Sequence, residues 1–101
     1  MNPDNRSLIQ VRVGGVSALR GILGKETVVV LARGSTVRDL IAKLEERFGS
    51  GYRQIAGESL EEGLRKRFYL LYNGEVVPPE QNLEKMLNDG DRILFFQWTG
   101  A

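Results

Sequence analysis

Apolar and polar residues alternate over residues 7–13. Ile9, Val11 and Val13 share one side, and Leu8, Gln10 and Arg12 share the other. A period of two marks a strand with one face toward a core, and Gly14-Gly15 closes it. Residues 26–31 predict a second strand from their β-branched Thr and Val. The stretch between, residues 14–25, is too long for a tight hairpin turn and rich in glycine, which predicts irregular loop. The period then changes. Val37, Leu40, Ile41, Leu44 and Phe48 recur at i, i+3, i+4, i+7 and i+11, one apolar stripe along a helix over 36–48. Thr36 and Asp39 form a capping-box pattern. Asp39 and Lys43 stand four apart with favourable polarity, and Gly49 supplies a left-handed stop. Arg38, Lys43, Glu45 and Glu46 point away from the stripe, so this helix covers a sheet with one side only.

Residues 50–66 are weakly patterned, with Gly51, Gly57 and Gly63 spread through them; at most a short helix over 58–66 fits. Residues 67–72 predict a third strand. Asn73-Gly74 is a strong hairpin signal, so Glu75–Val77 pairs back briefly before Pro78-Pro79 ends the ladder. Residues 82–88 read as a helical turn with Leu83, Met86 and Leu87 inward, and Asp89-Gly90-Asp91 turns into a final strand over 92–98. One amphipathic helix among these strands packs on one face of a mixed sheet. The first two strands pair antiparallel, and the helix crosses over to the other half. This order is an α+β chain of the ubiquitin-like β-grasp class, a mixed four- to five-stranded sheet on one main helix (36–48). A ferredoxin-like sandwich would need a second long helix, which only the glycine-broken 50–66 segment could supply. The chain of 101 residues has room for one core. Residues 1–6 are expected as a flexible N-terminus, 7–98 as one domain and 99–101 as a flexible tail.

Composition narrows the chemistry. The chain has no cysteine and no histidine. That excludes disulfides, Cys- or His-based zinc sites, a thiol nucleophile and any triad with imidazole as base. The acidic pairs Glu45-Glu46 and Glu61-Glu62 diverge by about 100° on a helix and do not converge on a substrate. Asp89 and Asp91 flank a glycine and read as a turn. No catalytic side chain, metal site or bound cofactor is expected. The opening residues 1–6 lack the apolar core of a signal peptide, and no apolar run approaches the roughly 18 residues of a membrane span. A cytoplasmic protein without a membrane partner is expected. Net charge is +1 but uneven: twelve Lys and Arg against eight Asp and Glu through residue 67, then two against five. The run Arg65-Lys66-Arg67, with Arg53, would suit RNA, but this excess is modest for a polyanion. A solvated loop explains it as well, and nucleic acid is not expected as a partner.

The last strand is apolar on both sides. Ile93 and Phe95 are assigned to the core; Leu94, Phe96 and Trp98 then face away from the helix. An exposed apolar row marks a partner surface, unless residues 50–66 fold over it or two copies meet through it. Thr99, Gly100 and Ala101 follow as a thin tail that could enter a narrow channel and deliver an α-carboxylate.

Several stretches together resemble the sulfur-carrier proteins of molybdopterin and thiamine biosynthesis, the MoaD/ThiS type. These are Leu19-Arg20 with Gly24, residues 26–31, and Gly34-Ser35-Thr36-Val37-Arg38-Asp39-Leu40. Tyr72-Asn73-Gly74-Glu75-Val76 follows, then Leu83, Asp89-Gly90-Asp91-Arg92-Ile93 and Phe95-Phe96. The Phe95-Phe96 pair and the long 50–66 segment lean toward the small subunit of molybdopterin synthase; Phe96-Gln97 also resembles the thiamine carriers. The resemblance implies a non-catalytic carrier. A ubiquitin-activating-like adenylyltransferase uses ATP to adenylate its terminal carboxylate, a sulfur donor makes the thiocarboxylate, and the large catalytic subunit of a synthase receives the sulfur. Gly100 and Ala101 would form the reactive tail, and Leu94, Phe96, Trp98 and Thr99 the partner-binding row. The family ends in Gly-Gly and this chain in Gly100-Ala101. Ala101 would be tolerated or removed, or the chain would serve as an unmodified interaction module.

Overall fold

In the computed structural model, which describes residues 7–16 and 18–97, the alternation of the first strand continues past its expected end. Strand β1 (Leu8–Gly15) runs through both glycines because they pair with the final strand, β5 (Arg92–Phe96): Gly14 faces Leu94 and Gly15 faces Phe95. The stretch expected as irregular loop contains a short helix, α1 (Ala18–Leu23), which buries Leu19 and Leu23 one turn apart. Gly15 permits it, since a Cβ there would stand 2.6 Å from Leu19 Cβ. Strand β2 (Thr27–Ala32) returns antiparallel to β1, as expected.

Helix α2 (Val37–Ala56) follows, and the capping box forms. An Asp39 carboxylate oxygen accepts the Thr36 backbone N–H at 2.9 Å and its hydroxyl at 3.2 Å. Lys43 therefore turns to Glu46, 4.0 Å away, rather than to Asp39. The helix does not stop at Gly49. It continues to Ala56, and the left-handed stop is Gly57, at φ 75°. Gly49 lies buried beneath the Glu45 carboxylate, where a Cβ would collide with it. Glu45 is thus not a solvated residue of the outward side. Its Oε1 accepts the Glu61 N–H at 2.9 Å, at the start of helix α3 (Leu60–Lys66). Ser59 caps the same helix by accepting the Glu62 N–H at 3.1 Å.

Helices α2 and α3 form a hairpin and pack tightly at Gly63, where a Cβ would collide with the Tyr52 hydroxyl. Tyr52, Leu60 and Leu64 join the same core as Val11, Leu40, Leu44, Leu70 and Phe95. Residues 50–66 therefore cover the inner side of the sheet, not its outer face. The Tyr52 hydroxyl donates to Glu58 at 3.2 Å, and Arg67 pairs with the same carboxylate at 2.7 Å. Burial, then that hydrogen bond, raise the Tyr52 pKa.

Strand β3 (Tyr69–Tyr72) and β4 (Glu75–Val77) make the expected hairpin through Asn73-Gly74, both residues at positive φ. A 3-10 turn over Pro79–Asn82 replaces the expected helical turn. Leu83 and Leu87 are buried, but Met86 is exposed, bridged to Thr36. Met86 points outward because this segment runs extended beside the start of α2. There its Lys85 and Leu83 carbonyls accept the otherwise orphaned Val37 and Arg38 N–H groups, at 3.0 and 2.9 Å. The sheet is five-stranded in the order β2-β1-β5-β3-β4, with β1 and β5 parallel and the other pairs antiparallel. This is the ubiquitin-like β-grasp arrangement.

Candidate partner-binding face

The helices bury one face of the sheet and leave the other open. On β5, Ile93 and Phe95 lie in the core, while Leu94 and Phe96 alternate outward and are half-buried. The register sets their neighbours. Leu94 lies between Gly14 and Leu71, and Phe96 lies opposite Tyr69. Gly14 makes this possible: a Cβ there would stand 2.5 Å from the Lys25 carbonyl oxygen and 3.4 Å from Leu94 Cδ1. The Phe96 and Tyr69 rings meet edge to face, centroids 5.9 Å apart. Val76 lies opposite Leu71 on β4, and Leu8, Val28 and Val30 continue the same face across β1 and β2. Val28, Val30 and Val76 are each about half exposed, at 47%, 47% and 57%. Leu94 and Phe96 are therefore two members of an apolar surface that crosses all five strands. Trp98, Thr99, Gly100 and Ala101, also assigned to the partner surface and tail, lie outside the described residues.

The residues absent from the sequence-based assignment are those contributed by the other four strands. Alternation would have found them, applied from every buried residue: Val29 and Leu31 inward place Val28 and Val30 outward, and Val11 and Val13 inward place Arg12 outward.

One buried acid fixes the position of β5. Asp91 precedes it and is the buried charged residue among those described. One of its oxygens accepts the Tyr72 hydroxyl and, at 2.8 Å, the Asn88 N–H; the other accepts the Asn73 amide at 3.1 Å. Asn73 in turn accepts the Arg92 N–H at 2.8 Å and donates its own backbone N–H to the Arg92 carbonyl at 2.9 Å. The hairpin turn and the start of β5 are thereby tied together, which sets the register of Leu94 and Phe96. Burial alone would raise the Asp91 pKa. The hydrogen bonds from Tyr72, Asn88 and Asn73 outweigh it, with Lys85 adding attraction, and hold it below the usual carboxylate range. Burial and the bond to Asp91 push Tyr72 up to about 12. Asp89 is engaged too, accepting the Gln10 N–H at 2.8 Å. The Asp-Gly-Asp motif is a structural turn, and among the described residues no group of three or more acidic side chains is placed to hold a metal.

The basic run is consumed in ion pairs: Arg65 with Glu80 at 3.7 Å, Lys66 with Glu62 at 3.3 Å and Arg67 with Glu58. It closes α3 rather than forming a free loop before a strand. No helix among the described residues is long and apolar enough to cross a membrane.

The ThiS family model matches residues 16–100. No curated protein matches the chain in sequence. Solved structures share its fold at low identity. The HVO 2177 protein of Haloferax volcanii superposes with a TM-score of 0.73 at 22% identity, over 100% of this chain and 94% of its own. Small archaeal modifier protein 1 from Methanosarcina acetivorans gives 0.66 at 22%, over 93% and 97%. A protein–protein complex of subunits 1 and 2 of the Helicobacter pylori molybdopterin-converting factor contains a chain that matches at 0.58 and 18%, over 92% and 99%.

Proposed function

Because the chain belongs to the ThiS family, we propose that it is a sulfur carrier whose working group is the carboxylate following Gly100-Ala101. The family match carries this reading, since it extends through Gly100. The fold, shared with sulfur carriers and ubiquitin-like modifiers, is consistent with it.

A carboxylate is a poor electrophile at neutral pH. In the proposed sequence a carboxylate oxygen attacks the α-phosphorus of ATP on an adenylyltransferase partner, and pyrophosphate leaves. A hydrosulfide ion from the sulfur source then attacks the acyl carbon, AMP leaves with the C–O bonding pair, and loss of the S–H proton to water leaves a thiocarboxylate. Its sulfur attacks an acceptor held by a second partner, the large subunit of a molybdopterin-type synthase, and displaces a leaving group there. Water then cleaves the acyl C–S bond, which leaves the sulfur on the acceptor and returns the carrier's carboxylate. The carrier contributes no acid or base to these steps. Its role is recognition through Leu94, Phe96 and the neighbouring apolar face, plus delivery of a narrow tail. Ala101 adds a methyl group to that tail, and overpacking in a rigid slot costs about 1–3 kcal/mol.

The test is co-expression with the adenylyltransferase of the same genome, ATP and a sulfur source, read by intact mass. One sulfur-for-oxygen exchange is expected, and Ala101→Gly raises its rate. An unchanged mass beside an enzyme that demonstrably consumes ATP on another carrier overturns the reading. The apolar face across all five strands also suits a second reading, an unmodified interaction module. Under it Trp98→Ala abolishes partner binding and deletion of Ala101 changes nothing.

A further inference from the structure

The apolar outer face does not by itself specify what covers it, but the row through its middle is charged. Arg12 and Arg92 are register partners on the parallel pair β1–β5. Val11, Val13 and Ile93 beside them are buried, so both guanidinium groups project to the outer face. They line an open hollow of about 580 Å³ with Leu71, Asn73, Gly74 and Gly90. An adjoining hollow of about 280 Å³ adds Lys25, Glu26 and Leu94. Like charges side by side on a sheet are destabilising unless something offsets them. Arg92 is offset by Glu26, whose carboxylate lies 3.1 Å from Nε. Arg12 makes no ion pair among the described residues. Lys25, Arg12 and Arg92 thus surround an apolar floor with one carboxylate among them.

We propose that the Arg12–Arg92 row selects the occupant of this face: a protein partner that brings a carboxylate to Arg12 while its apolar side chains cover Leu94 and Phe96. The same row bars a second copy of this chain. A two-fold stack over the row would bury four guanidinium groups against two Glu26 carboxylates, and an unpaired buried charge costs more than the apolar contact returns. A partner carboxylate removes that penalty and attracts the face before contact. The proposal rests on the partner-face reading above and adds the chemistry of the partner.

Two measurements test it. The first is sedimentation velocity of the full chain across a concentration series, for the wild type and for the Arg12→Leu/Arg92→Leu variant. The wild type stays monomeric, and the variant, whose central row is apolar, dimerises. The second is calorimetric titration of the adenylyltransferase of the same genome at several salt concentrations. Arg12→Glu weakens binding by about tenfold or more and flattens its salt dependence, while Arg12→Lys retains most of the affinity. A wild-type dimer that Leu94→Lys dissolves overturns the proposal, as does an Arg12→Glu chain that binds as tightly as wild type. If the wild type itself does not bind that enzyme, the carrier reading fails. The proposal is then decided by sedimentation alone, where a double variant that remains monomeric overturns it.

Discussion

Replacing Asp91 with alanine removes the acceptor that joins the β3–β4 turn to β5. Three donors lose their partner: the Tyr72 hydroxyl, the Asn73 amide and the Asn88 N–H. A buried donor left unmet costs about 1–3 kcal/mol. These three are only partly buried, and water reaches them in part, so the low end applies, a total of about 3 kcal/mol. A chain of this length is stable by roughly 5–15 kcal/mol, so the loss is a large share of it. The melting temperature should fall by roughly 15 °C. Urea unfolding followed by far-ultraviolet circular dichroism measures the change, with the slope against urea unchanged. The acid limb gives an independent check. The folded Asp91 pKa is depressed, so its stabilisation is complete above the unfolded value of about 3.9 and is lost as pH falls through the lower folded value. Asp91→Ala should flatten that part of the stability curve. At the alkaline end the sign reverses. Tyr72 is raised from 10.0 to about 12, so stability falls as pH rises between those values, and Tyr72→Phe removes this loss. A cost below about 1 kcal/mol for Asp91→Ala, with an unchanged acid limb, would show that water replaces the carboxylate and refute the reasoning.

Two further substitutions separate glycines that look alike in sequence. Gly51 has open space where a Cβ would go, so Gly51→Ala should stabilise by about 1 kcal/mol through helix propensity. Gly63→Ala gains the same propensity but drives a methyl into the Tyr52 hydroxyl, and overpacking of about 1–3 kcal/mol makes the net effect a loss. A double-mutant cycle with Tyr52→Leu should remove that loss, and additivity in the cycle would refute the contact. Glu45→Ala deprives the α3 N-terminus of an acceptor and should cost about 1 kcal/mol, seen as faster amide hydrogen exchange at Glu61 than at Leu64. Equal exchange in variant and wild type would show that Glu45 does not cap α3.

The readable part of the fold is where one period dominates. The alternation of β1, the stripe from Val37 to Phe48 and the Asn73-Gly74 turn each state their structure locally. The 50–66 segment does not, because its three glycines serve three different ends. Gly51 sits inside α2 with open space around it, Gly57 is the left-handed stop, and Gly63 is small for the Tyr52 ring eleven positions away, which no local preference shows. Helix α1 spans fewer than two turns and shows only the pair Leu19 and Leu23, too little to establish a period. The site follows the same rule. Leu94 and Phe96 stand out because β5 is apolar on both sides. Arg12 and Arg92 lie eighty positions apart, and only the parallel β1–β5 register makes them neighbours.

That register also fixes an order of events during synthesis. Strand β5 is the middle strand of the sheet, yet it is the last of the described elements to leave the ribosome. Until it does, the β1–β2 hairpin and the β3–β4 hairpin each present an unpaired edge, and Phe95 is missing from the core between them. A nascent chain can form both hairpins and α2 early, but it cannot join the two halves. Such a half-assembled chain exposes the surfaces that chaperones recognise. Because long-range pairing is slow to close, the joining of the two halves would set the pace at which each new molecule becomes native.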